Sequence, residues 1–185
     1  MTTQQYQKVS DTTPIIIGAG QHVERLHPLS QPPFSSPMQL AATACEAALN
    51  DAGVKAGDID SIAVIRLFSE AAKDWASPFG GSNNPPESVA RRIGATPARR
   101  IYSNAGGTEP LQILVELLQA VAHGETTLAL LTGAEAIASQ RFAVRNGYEL
   151  DWREEFDAPL DKREYHKRFA SREEMSSGLS LPVHY

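Results

Sequence analysis

The sequence predicts an α/β fold, a mainly parallel mixed sheet with helices on both faces. Apolar runs of strand length alternate with amphipathic stretches of helix length along most of the chain, the pattern of parallel strands joined by helical crossovers. Glycine-bearing turns follow three of those runs, at residues 18–20, 103–108 and 133–135, where such a sheet places its ligand crevice. The length of 185 residues, with 42% apolar and 21% charged side chains, suits one good core and is short for two.

The elements follow in order. "PIIIGAG", 14–20, is a continuous apolar run ending in glycines, which predicts a buried strand and its exit turn. The proline- and serine-rich stretch after it reads as a loop. Ser36 and Pro37 supply an N-cap and a first-turn proline for a helix over "MQLAATACEAALNDAG", with Met38, Ala41, Cys45, Ala48 and Leu49 mostly on one face and Gly53 as C-cap. "IDSIAVIRLF" predicts a second strand, 69–84 a loop, and Pro86 to Gly94 a short helix. "ARRIYSN" predicts a third strand, followed by a helix that Thr108 caps, with Glu109 and Pro110 in its first turn. "TTLALLTGAEA" is the fourth strand with its turn, and "EAIASQRFAVR" a short helix. From Gly147 the texture becomes dense in both charges with scattered aromatics, which reads as an exposed insertion or cap. The organisation expected is a disordered tail over 1–13, an α/β domain over 14–146 and a charged loop or cap over 147–185.

Several function classes are disfavoured. The net charge is −5, and the basic pairs Arg91–Arg92 and Arg99–Arg100 lack interleaved aromatics, so they read as a solvated face and no nucleic-acid partner is expected. The single cysteine, Cys45, rules out an internal disulfide framework and a cysteine-rich zinc site. His166 and His184 show no ligand spacing, so no metal is expected. No apolar run reaches 18 residues, so no membrane span is expected. The polar start lacks a signal-peptide core, and a cytoplasmic location is the simplest expectation.

The candidate sites lie at the glycine turns. "GAGQHV" has two of the three glycines of a dinucleotide fingerprint, but Val23 holds the third position and the next helix begins only near Pro37. A pyrophosphate needs that helix directly after the turn, so a nicotinamide cofactor does not fit. In "SNAGGTEP", Gly106 and Gly107 permit close backbone approach, and free N–H groups at the helix start suit an anion or oxyanion, although Glu109 opposes one. A ligand-free βα turn explains the same residues. Thr108 would need a base to act as nucleophile. His123 lies 15 residues on, roughly 22 Å along the helix at ~1.5 Å per residue, and cannot serve. His22 leaves the same edge and reads as a loop histidine. Cys45, on the buried helix face, reads as packing.

The order of four segments resembles the N-terminal part of the thiolase superfamily, in the thiolase-like branch close to sterol-carrier-protein-type thiolases: "PIIIGAGQHVERL", "SPMQLAATACEAALNDAGVKAGDIDSIAVI", "YSNAGGTEPLQILVELLQAVAHGE" and "TTLALLTGAEAIAS". These span most of 14–139. The resemblance implies two similar five-layered α/β halves, an active site between them and coenzyme A thioesters as substrates, with no covalently bound cofactor. In the family a cysteine at the start of the third segment's helix takes the acyl group. That position falls at Gly107 here, or at Gly106 or Thr108 with one residue of slippage, so no catalytic residue is assigned. Asn104, Gly106, Gly107, Thr108 and Glu135 are the implied candidates for an acyl-CoA pocket. The family's histidine and cysteine for proton transfer come from its C-terminal half, so the chain reads as a truncated N-terminal half. The resemblance thus implies an acetyl-CoA acetyltransferase relative of lipid metabolism, lacking its usual nucleophile. The alternative is a non-catalytic CoA-binding or assembly module that pairs with a partner chain. Either reading implies a homo- or hetero-oligomer.

Overall fold

Three four-residue runs, SIAV, RRIY and ALLT, form three of the four strands of the sheet in a computed structural model, which describes residues 10–70, 76–163, 173, 176 and 177. In chain order the elements are α1 (Pro37–Ala52), β1 (Ser61–Val64), α2 (Pro85–Ile93), β2 (Arg99–Tyr102), α3 (Glu109–Ala122), β3 (Ala129–Thr132), α4 (Ile137–Asn146) and β4 (Asp161–Lys162). The strand order is β3-β1-β2-β4 and every pairing is parallel. Ser61 stands opposite Arg99 on one side and Ala129 on the other. The strands therefore all leave the sheet at one edge.

Alternation along the strands divides the apolar side chains between two faces. Ile62, Val64, Tyr102, Leu128 and Leu130 pack with α1 and α2, while Ala63, Ile101, Ala129 and Leu131 pack against Ile113 and Leu117 of α3. Helices on both faces follow from apolar strands that no water can flank. Ala41, Ala42 and Cys45 are the small buried residues of α1 on the first face. The caps of α1 and the C-cap of α2 are those the sequence predicts, whereas Asn84, read there as loop, proves to be the N-cap of α2. Ser36 accepts from the Gln39 N–H, Pro37 opens α1, and Gly53 and Gly94 end α1 and α2 in the left-handed conformation at φ 67° and 75°. Asn84 caps α2 by accepting from the Glu87 N–H at 3.2 Å.

Four expectations are corrected. First, 14–20 is extended but belongs to no strand, and Ile15 and Ile16 are 71% and 70% exposed. This segment lies along α1, held by the Ala19 N–H donating to Asp51 Oδ2 at 2.9 Å. A groove of about 510 Å³ lies between it and β3, lined by Ile15, Ile17, Leu117, Ala129 and Leu131 among others. A strand needs an adjacent edge about 4.8 Å away, and the groove keeps it from one. Second, Thr108 precedes α3 but its side chain makes no capping bond. Third, the basic pairs are not simply solvated. Arg91 and Arg100 both bind Glu87, at 2.7 and 2.5 Å, Arg92 binds Glu154 at 2.5 Å and Arg99 binds Glu116. Burial works to raise the Glu87 pKa, but hydrogen bonds and charge from Arg91 and Arg100 outweigh it, and the net shift is downward. Fourth, the described part of 147–163 is not wholly an exposed cap, although its alternate residues face solvent. Trp152 is buried against Phe79, with ring centroids 5.4 Å apart, and β4 adds to the sheet beside β2. Residues 1–9 of the expected tail, as well as His166 and His184, lie outside the described residues.

The contact of 14–20 with α1 is tested at Gly20. A Cβ there would stand 2.2 Å from Ala44 O and 2.4 Å from Ala48 N, both α1 backbone, whereas one on Gly57 meets nothing. Gly20→Ala is expected to lower stability in urea unfolding by about 1–3 kcal/mol, against little change for Gly57→Ala. Equal effects would mean that the segment is not part of the folded body.

Candidate functional site

The shared exit edge carries three turns: 65–68 after β1, 103–108 after β2 and 133–136 after β3. The 18–20 turn expected there lies instead against α1. At the centre of the edge is Arg66, a cation at the end of an apolar strand run, with a side chain 9% exposed. Its backbone N–H donates to Ser103 Oγ at 3.0 Å and its Nε to Ser103 O at 2.9 Å. The two terminal nitrogens donate to Glu70 Oε2 at 3.0 Å and to Arg163 O at 2.9 Å. The guanidinium lies 4.5 Å over the Tyr102 ring. Tyr102 itself donates to Glu70 Oε1 at 2.7 Å and accepts from the Leu67 N–H. Burial first, then the Glu70 charge, pushes the Tyr102 phenol well above its ordinary range, so it serves as a fixed donor.

On the β3 side, Glu135 Oε1 accepts from the Phe68 N–H at 2.5 Å. Loss of hydration, with the nearby Glu70 charge, raises the Glu135 pKa against the lowering effect of that hydrogen bond. Glu135 and Glu70 border a cavity of about 390 Å³ together with Leu67, Gln140, Trp152 and Glu155. Asn104, Gly106, Gly107 and Thr108 do not border it. The candidates thus fall into two groups on one edge, with Arg66 to Phe68 between them.

The 103–108 turn is built by Ser103, which is fully buried, receives the Arg66 bonds and donates from Oγ to Asn104 O at 2.6 Å. Gly106 has φ 154°, a conformation that L side chains rarely adopt. Gly107 is exposed and a Cβ on it would meet nothing. At the start of α3 the N–H groups of Gly107, Thr108 and Leu111 make no hydrogen bond with the described residues, but two others are not available. The Glu109 N–H is bonded to Gly106 O at 3.2 Å and Pro110 has none. Thr108 is exposed, and among the described residues its hydroxyl has no base or other hydrogen-bond partner. Glu109 is only 3% exposed at this terminus, so an anion there would meet a carboxylate. Cys45 sits inside the core at 2% exposure, its thiol pushed up by burial to about 11. The edge presents no activated nucleophile among the described residues.

Sequence reasoning missed Arg66, Glu70, Tyr102 and Trp152. A signal existed for the first, since an arginine closing a buried apolar run must find acceptors. The others depend on segments distant along the chain. Among the described residues, no group of three or more His, Cys, Asp or Glu is placed to hold a metal, and no helix is long and apolar enough to cross a membrane.

Three outcomes test this geometry. Arg66→Ala should lower stability by about 2–4 kcal/mol in urea unfolding, because it removes charged hydrogen bonds to Ser103, Glu70 and Arg163, and Arg66→Lys should restore part of that. For Glu135, a pKa raised above 4.5 means that the folded chain holds the proton more tightly than the unfolded chain. Its contribution to stability therefore falls as pH rises from the ordinary carboxylate value through the raised one. Glu135→Gln, which keeps an acceptor for Phe68, should abolish that part of the fall in a stability–pH profile. Finally, a thiol reagent at pH 8 should leave Cys45 largely unmodified in the native protein, whereas Gly107→Cys should add one rapidly modified thiol.

No protein-family model matches the chain, and no curated protein matches it. A search of solved structures finds a monomeric SCP2-thiolase-like protein type 1 from Mycobacterium smegmatis, at 33% identity and a TM-score of 0.56. The match covers 76% of this chain and 27% of that one, so the chain spans just over a quarter of its solved relative's length. With its parallel sheet, its helices on both faces and this likeness, the chain has a thiolase-like fold.

Proposed function

We propose that this chain is the N-terminal part of a thiolase-like acyl-CoA acyltransferase relative, one that holds a coenzyme A thioester without forming an acyl-enzyme on a cysteine. The supporting observation is the edge itself. The turn that opens α3 has Gly107 where the resemblance places a thiol, and the chain's one cysteine lies in the core. Covalent acyl transfer needs an activated nucleophile at the reacting carbonyl, and a thiol at pKa about 11 inside the core does not supply one. Asn104, Gly106, Gly107 and Thr108 on one side and Glu135 on the other shape the ligand site, with acyl-CoA as substrate and the cytoplasm as compartment.

A second reading, an assembly module covered by a partner chain, draws on a different observation. β3 pairs on one side only among the described strands. Its Leu128 and Thr132 carbonyls accept from β1 and the residue after it, so by alternation Ala129 and Leu131 turn their backbone groups to the open groove. Leu111 and Val115, one turn apart on α3, are also exposed.

Calorimetric titration of the chain with CoA and acetyl-CoA separates the two readings. Micromolar binding, with no acetyl adduct by mass spectrometry, is the expected result. A stable adduct would overturn the non-covalent reading. No binding at millimolar CoA, together with self-association in light scattering, would favour assembly.

A further inference from the structure

A sheet edge and an extended segment face each other across the groove beside β3. Alternation along β3 turns the N–H and C=O groups of Ala129 and Leu131 away from β1, toward the groove. On its other wall the backbones of Ile15, Ile16 and Ile17 make no hydrogen bond with any described residue. Ala44 and Ala48 of α1 and Leu114 and Leu118 of α3 line the same groove, and these two helices pack on opposite faces of the sheet. The groove is therefore an opening within the layer of strands, with a helix on either side of that layer. Ile15 and Ile16 stand largely exposed beside it. An open edge next to a row of exposed isoleucines is an aggregation hazard unless something covers both.

We propose that this opening is a slot for one extended strand of a partner polypeptide, apolar on both faces, which pairs with β3 on one side and with 15–17 on the other. This rests on the assembly reading, in which a partner chain covers the open side of β3. The two unpaired backbone rows decide the class of occupant. An aliphatic ligand would seal them from water with no donors or acceptors in its place. An inserted strand supplies N–H and C=O groups along both of its edges. Helices on both faces require a continuous apolar run on that strand and exclude one with a polar face. Among the described residues the chain has no such strand to lend to a second copy. β1 and β2 are paired on both sides, and 14–20 is already a wall of the groove, seated on α1 with the Ala19 N–H bonded to Asp51.

The test titrates the full chain with a short capped peptide of alternating alanine and valine, flanked by lysine and glutamate, and with the same peptide carrying a central proline. The first is expected to bind at micromolar concentration and the second at least about tenfold more weakly. Hydrogen exchange should slow at least about tenfold at the Ala129 and Leu131 amides, and change little at Leu130 and Thr132, which face β1. Ala129→Pro, a change an edge strand tolerates, should weaken binding by a similar factor. Leu118→Trp, which narrows the slot from α3, is the second variant should the first unfold. No binding at millimolar peptide, by chain shown folded by circular dichroism, overturns the slot. Self-association of that sample in light scattering then leaves the assembly reading standing, and a monomer overturns both. Protection of Ala129 and Leu131 in self-associated chain without peptide gives the slot to a second copy and overturns the partner strand. Binding undiminished in both folded variants overturns the assignment to this groove.

Discussion

The Arg66 guanidinium joins the exits of three parallel strands, and the exit edge is organised around it. It bonds the backbone that follows β2, the carboxylate of Glu70 after β1 and the carbonyl of Arg163 just past β4, while stacking on Tyr102. A cation this enclosed is stable only where acceptors surround it. Those acceptors come from segments 37 and 97 residues away in sequence. The interaction therefore fixes where Ser103 stands, and Ser103 fixes the turn that leads into α3.

Electrostatics also governs the other end of β2. Arg100 reaches Glu87 at the start of α2, and Arg99 shares Glu116 of α3 with Arg163. The strand is thus tied by charge to a helix on each face, in addition to its apolar packing. Glu154 does the same for the segment after α4, binding Arg92 and accepting from Ser88 at 2.5 Å. This is why a chain stretch of high charge density lies against the sheet and is not loose in solvent. Its carboxylates complement the arginines of α2 and β2.

The turn that opens α3 combines features that favour a ligand with features that oppose an anion. The α3 turn retains paired glycines, buried Ser103 and a helix terminus, all features that bring a backbone close to a ligand. Pro110 and the Glu109–Gly106 bond take away donors that an oxyanion would use. Buried Glu109 brings negative charge in their place.

The local elements were legible in the sequence because their signals are local. Ser36–Pro37, Gly53 and Gly94 set helix ends through backbone geometry and capping that involve only a few neighbouring residues. Strand-length runs covering 61–64, 99–102 and 129–132, apolar apart from the Arg99–Arg100 pair and the terminal Ser61 and Thr132, pointed to a sheet covered on both faces, and the resemblance singled out the 103–108 turn. The run at 14–20 carries the same signal as those strands, yet it is unpaired, because pairing depends on which edge lies beside it and composition holds no record of that. Glu135 was legible as a turn residue, but its meeting with Phe68 was not. The pairing of Arg66, Arg92, Arg99 and Arg100 with carboxylates was decided only by tertiary structure. Charge and hydrogen-bond balance depend on distances in space, and the sheet brings together residues that the chain keeps far apart.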